Sequence, residues 1–74
     1  MNADYEKTLG QNIRKLRLER HMSQEQVAAQ LQIRGCDVTR SALAKIETGL
    51  RHIYPDELRA FKEIFGVQYE QLFV

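Results

Sequence analysis

Hydrophobic positions along the chain recur with the spacing of helices rather than of strands. Leu9, Ile13 and Leu16 follow an i, i+4, i+7 pattern, with Arg14, Lys15 and Glu19 on the other side. That pattern predicts a first amphipathic helix from about Tyr5 to Arg20. His21 stands where a helix ends in a left-handed residue; glycine is commonest there, and histidine is among the less penalised alternatives. Ser23 opens a second helix with a capping box, in which its oxygen accepts the Gln26 N–H while the Gln26 side chain reaches back to the Ser23 N–H. Val27, Ala28 and Leu31 form its buried stripe, Gly35 is its stop, and Arg34 suits the negative end of the helix dipole.

A third helix is predicted from an N-cap at Thr39 to Glu47, ended near Gly49. Leu43 and Ile46 are its only large apolar residues, and the opposite face carries Arg40, Ser41, Ala44 and Lys45. Pro55, Asp56 and Glu57 read as the first turn of a fourth helix, with a pre-set φ and two carboxylates at the positive dipole end. Leu58, Phe61, Ile64 and Phe65 line its inner face; Gly66 ends it, and Val67 is placed to fold back onto it. Gln68 to Phe73 forms a last short helix that buries Leu72, with Gln68 a poor cap. No segment alternates with period two. The expected fold is all-α, a compact bundle of four to five short helices.

Length and composition narrow the reading. With 74 residues there is room for one domain spanning residues 1–74 and one small core, in which about 60% of the unfolded surface is buried. No apolar run approaches the roughly 20 residues needed to span a bilayer. The start of the chain lacks the basic and apolar segments of a signal peptide. The single cysteine, Cys36, excludes an internal disulfide framework and fits a reducing cytoplasm, the expected localisation. Net charge is +1, but it is unevenly spread: residues 1–52 carry nine Lys/Arg against six Asp/Glu, and residues 53–74 two against four. A basic front and an acidic back suit a domain that faces nucleic acid, and suit ordinary solvated helices as well.

Two short helices, the second exposing Arg, Ser and Lys, form an arrangement that can place a helix in the major groove, where base edges present donors and acceptors. Three segments add a resemblance. The run from Ile13 through Arg17, Ser23 and Gln24 to Ala28, the run Ser41-Ala-Leu-Ala-Lys-Ile-Glu-Thr-Gly49, and the stretch from Leu58 through Gly66-Val67 to Leu72 together resemble lambda-repressor-like helix-turn-helix domains, the phage Cro and repressor or XRE family. In this order and spacing they cover roughly residues 8 to 73. The resemblance implies sequence-specific binding of double-stranded DNA by a transcriptional regulator or repressor.

Carried over by position, it implies that Arg40, Ser41, Ala44 and Lys45 contact bases. Gln24, Thr39, Arg51 and His52 would contact phosphates, Gln24 with help from the helix N-terminal amides. It further implies an ion pair between Arg17 and Glu47 that ties the first helix to the third. Family members often bind two half-sites as dimers.

One departure stands out. The family connects Leu31 to Val38 by about one residue, whereas six intervene here. Either the second helix runs an extra turn before Gly35 or the connection is a small loop; Ile33 and Arg34 suit the former. Cys36, His21 and His52 lack the companions of a metal site or a nucleophile, and read as a thiol in the inserted loop and two surface histidines. No catalytic pair, cofactor, metal or small-molecule substrate is indicated. The rival reading is a protein-interaction or dimerisation module that keeps the fold. Its exposed apolar patch, equally a homodimer surface, would come from Leu18, Leu50, Ile53, Tyr54, Tyr69, Phe73 and Val74.

Overall fold

The computed structural model describes residues 3–73, which form five helices: α1 (Ala3–Glu19), α2 (Gln24–Ile33), α3 (Arg40–Glu47), α4 (Pro55–Phe65) and α5 (Tyr69–Leu72). No strand occurs among the described residues. Val74, named above in the apolar patch, lies outside them.

The helix ends follow from local chemistry. Both capping-box bonds of α2 form, Gln26 N–H to Ser23 Oγ at 3.0 Å and Ser23 N–H to Gln26 Oε1 at 2.8 Å. Thr39 caps α3 by accepting the Ala42 N–H. At the other ends, α1 stops at His21, whose φ is 55°, and the next N–H, of Met22, returns to the Arg17 carbonyl. Gly35 (φ 83°) ends α2 likewise, with Cys36 N–H bonded to Leu31 O at 2.9 Å. These are Schellman closures, which turn the chain back across the last helical turn.

α3 packs against both α1 and α2; α4 packs on α2, and α5 on α1. One apolar cluster lies between them: Leu9, Ile13 and Leu16 from α1, Val27 and Leu31 from α2, Leu43 and Ile46 from α3, Phe61 and Phe65 from α4, and Leu72 from α5. The Phe61 and Phe65 rings stack at 6.0 Å. Leu58 and Ile64 are half-buried at the margin of this cluster. Asn12 donates to the Leu72 carbonyl and fastens the short α5.

The long α2–α3 connection has its own anchors. α2 continues to Ile33, whose side chain faces solvent. Beyond Gly35 the chain is extended, and Cys36 and Val38 both enter the core. The Gln32 side chain donates to the Val38 carbonyl at 3.2 Å and to Asp37 at 3.3 Å. Cys36 is therefore a core residue and not an incidental loop thiol: the residue after a Schellman glycine folds back onto the helix it follows. Its Sγ–H lies 3.8 Å from the Asp56 carbonyl. Burial first, then the charges of Asp56 and Glu57, push the thiol above its ordinary pKa.

Two other expectations are corrected. Ile53 is buried, because the α3–α4 connection dips into the core there, so it does not belong to the exposed apolar patch. His52 is half-buried rather than a free surface histidine; its Nδ1 meets Glu6 Oε1 of α1, and its ring meets Tyr54 edge-on.

Candidate nucleic-acid interface

α3 presents its surface because of what holds it from behind. Leu43 and Ile46 are fully buried, and Glu47 is nearly so. Gly10 of α1 sits against its last turn, so close that a Cβ built there would lie 2.0 Å from the Ile46 carbonyl oxygen. Arg17 of α1 clasps Glu47 with two bonds, Nε to Oε2 at 2.8 Å and Nη2 to Oε1 at 3.1 Å. A third Arg17 nitrogen donates to the Met22 carbonyl. The Gln24 side chain also donates to Glu47 Oε1, at 3.1 Å. One buried carboxylate thus joins α1, the start of α2 and the end of α3.

The outward face is free of such commitments. Arg40, Ser41 and Lys45 are exposed, and Ala44 is half-buried. Among the described residues the side chains of Arg40, Ser41 and Lys45 make no hydrogen bond or ion pair. The basic side chains of the chain divide accordingly. Arg17, Arg20, Arg34, Arg51 and Arg59 are paired with carboxylates. Lys7, Arg14, Lys15, Arg40 and Lys45 of α1 and α3 are not, among the described residues, and neither is Lys62 of α4, whose ammonium lies over the Tyr69 ring. Five of these six unneutralised cations belong to α1 and α3, which concentrates positive field on those two helices.

The residues expected at phosphates fall into two groups. Gln24 and Thr39 stand at the N-termini of α2 and α3, near the exposed face. Arg51 and His52 lie in the α3–α4 connection and are engaged within the protein. Arg51 forms a two-bond pair with Glu57, at 2.8 and 3.0 Å, donates to the His52 carbonyl, and lies over the Tyr54 ring. Glu57 is buried and also accepts the Tyr54 N–H. Burial alone would raise its pKa. The Arg51 bonds, the Tyr54 N–H and the charges of Arg51 and His52 outweigh that, and the net shift is downward. The Glu57 bond in turn raises Arg51 above its already high value.

Reading the sequence found the acidic first turn of α4 but not this pair. The available signal was position: the third residue of a helix whose cap, Tyr54, has no capping side chain must itself satisfy the cap N–H. Once buried in that role, the carboxylate needs a cation. The Glu6–His52 contact and the contribution of Gly10 had no such signal, since both depend on how α1 crosses α3.

Among the described residues no three His, Cys, Asp or Glu side chains are grouped to hold a metal ion, and no helix is long and apolar enough to cross a membrane. Comparisons with curated proteins and with solved structures gave no significant match. A family model described as helix-turn-helix matches residues 13–72, from the middle of α1 to the end of α5. The chain belongs to this family, the lambda-repressor-like, XRE-type helix-turn-helix domains, which are DNA-binding regulatory domains rather than enzymes.

Proposed function

We propose that the protein binds double-stranded DNA in a sequence-specific manner as a transcriptional regulator, most simply a repressor, with α3 as the recognition helix in the major groove. The observation that carries this reading is the division of α3: Leu43, Ile46 and Glu47 are locked to α1 and α2, while Arg40, Ser41 and Lys45 are exposed and, among the described residues, unpaired. Exposed side chains that the described residues do not engage are available to read base edges. Arg40 and Lys45 supply donors for guanine O6 and N7, and Ser41 and Ala44 supply a small surface that lets the helix approach. Gln24, Thr39, Arg51 and His52 are the phosphate contacts in this reading; Arg51 and His52 act from a connection fixed by Glu57 and Glu6. Residues 1–74 act as one domain.

Selection from random duplexes tests the reading. A consensus site should emerge, and binding to it should weaken steeply with salt. Arg40→Ala should cost about 1–3 kcal/mol on the preferred site and relax one base position. Recovery of no consensus would exclude sequence-specific recognition.

A second reading, self-association, is favoured by one observation. Tyr5 and Phe73 are exposed, with ring centroids 6.3 Å apart, beside a groove of about 240 Å³ over Leu9. A homodimer using this face would let two copies bind two half-sites. Light scattering on the purified protein decides it: a single-chain mass at all concentrations excludes the dimer.

A further inference from the structure

A groove of about 410 Å³ opens beside the recognition helix, lined by Arg14, Arg17, Ser23, Gln24, Glu25 and Arg40. It joins three helices: α1 gives Arg14 and Arg17, the start of α2 gives Gln24 and Glu25, and α3 gives Arg40. Its charges can be counted. Arg17 is neutralised by Glu47, so Arg14 and Arg40 face Glu25 alone, and the groove is net positive. Neither Arg14 nor Arg40 pairs with a carboxylate among the described residues, although Glu25 lines the same groove. Gln24 gives one amide hydrogen to Glu47, which leaves the other for a ligand. Arg14 is exposed, and its side chain makes no hydrogen bond or ion pair among the described residues.

We propose that Arg14 is a DNA-backbone contact: its guanidinium holds a phosphate of the duplex in this groove, making α1 a third contact element next to α2 and α3. The inference rests on the DNA-binding reading above and extends its footprint by a residue outside the helix-turn-helix pair. The groove suits a phosphate better than a base edge. It extends from α3 to α1 and the start of α2, and the Arg14 guanidinium by itself offers the planar fork of donors that matches phosphate oxygens, which leaves Arg40 to the bases. Lys15, the next residue on α1, is the internal control. It has the same charge and is likewise unpaired among the described residues, but lines a different groove with Asn12, Glu19 and Gln71 of α5.

The test is a salt titration of duplex binding by the intact protein and the variants Arg14→Gln, Arg14→Lys and Lys15→Gln. Each phosphate contact contributes about 0.9 to the slope of log affinity against log salt. Arg14→Gln should lower the slope by about 0.9, so that its deficit relative to wild type shrinks about threefold between 50 and 200 mM salt. The loss should be equal for preferred and unrelated duplexes. Arg14→Lys should retain most of the slope, and Lys15→Gln should keep the wild-type slope. A wild-type slope and affinity in Arg14→Gln would overturn this proposal and leave DNA binding intact. An equal loss in Lys15→Gln would also overturn it, by showing a diffuse charge effect rather than a seated phosphate. Absence of salt-dependent binding by the wild-type protein would overturn the DNA-binding reading itself, and this proposal with it.

Discussion

Arg17 of α1 and Glu47 of α3 meet through two bonds while only 9% and 2% of their side chains are exposed. Thirty positions apart in sequence, they fasten α3 to α1. Glu47 accepts from Gln24 as well, so the carboxylate has three donors around it. Few other groups satisfy a charge so far from water.

Removing either partner strands the other. Arg17→Ala and Glu47→Ala should each destabilise the protein by about 3–5 kcal/mol, a large part of the roughly 5–15 kcal/mol typical of whole domains. The double variant Arg17→Met/Glu47→Leu should lose less than the sum of the single losses, because neither charge is left behind. Urea unfolding of all variants gives the coupling; strict additivity would show the pair to be energetically idle.

The Arg51–Glu57 pair predicts a pH dependence. Glu57 has its folded-state pKa below the unfolded value, so its contribution is complete above the ordinary carboxylate range, near pH 4.3. It is lost as pH falls through the lowered folded value. Glu57→Gln should therefore flatten the acid limb of a stability–pH profile. Arg51→Ala should be destabilised at neutral pH, where a buried carboxylate is left uncompensated, and the deficit should narrow below about pH 4 as that carboxyl takes a proton. A constant deficit from pH 7 to pH 3 would contradict this account.

Gly10→Ala offers a contrast with helix propensity. In a free helix the change gains about 1 kcal/mol. Here the new Cβ would stand 2.0 Å from Ile46 O and 3.1 Å from Ile46 C. These are backbone atoms of a packed helix, so α1 and α3 must separate. A net loss at or above the ~3 kcal/mol upper end of ordinary overpacking is expected, measured by thermal denaturation followed by circular dichroism.

Cys36 should behave as a core residue. Its burial and raised pKa both oppose thiolate chemistry. A thiol reagent at pH 8 should modify the native protein at least about a hundredfold more slowly than the urea-unfolded chain, since reaction waits on opening. Cys36→Ser should cost about 1–3 kcal/mol by placing a hydroxyl in the apolar cluster. Labelling at the unfolded rate would return Cys36 to the surface.

Much of the fold is written in local signals. The Ser23–Gln26 box, the His21 stop, the Gly35 and Gly66 ends and the apolar spacing of α1 and α4 each concern neighbours within one turn, and such contacts follow from sequence distance alone. Cys36 shows how a local rule can go unused. The residue after a Schellman glycine packs back on its helix, which places Val67 correctly and would have placed Cys36. Leu50 shows the limit of that rule: it follows Gly49 in the same way and is nonetheless 80% exposed. What the spacing could not reveal depends on how helices cross. Nothing near Glu6 announces His52, and the outer face of α3 announces neither Arg14 nor the groove they share. Charge patterning failed for a related reason: the net of +1 hides which cations are already neutralised.

The two sides of α3 have no residue in common. Among the described residues the side chains of Arg40, Ser41 and Lys45 make no hydrogen bond or ion pair, whereas Leu43, Ile46, Glu47 and the facing Gly10 are packed into the fold. In the proposed reading, the helix is an interchangeable reading head on a fixed mount. In that reading, randomising positions 40, 41 and 45 should yield new target preferences with little change in stability, and binders from such a library should melt within a few degrees of the parent.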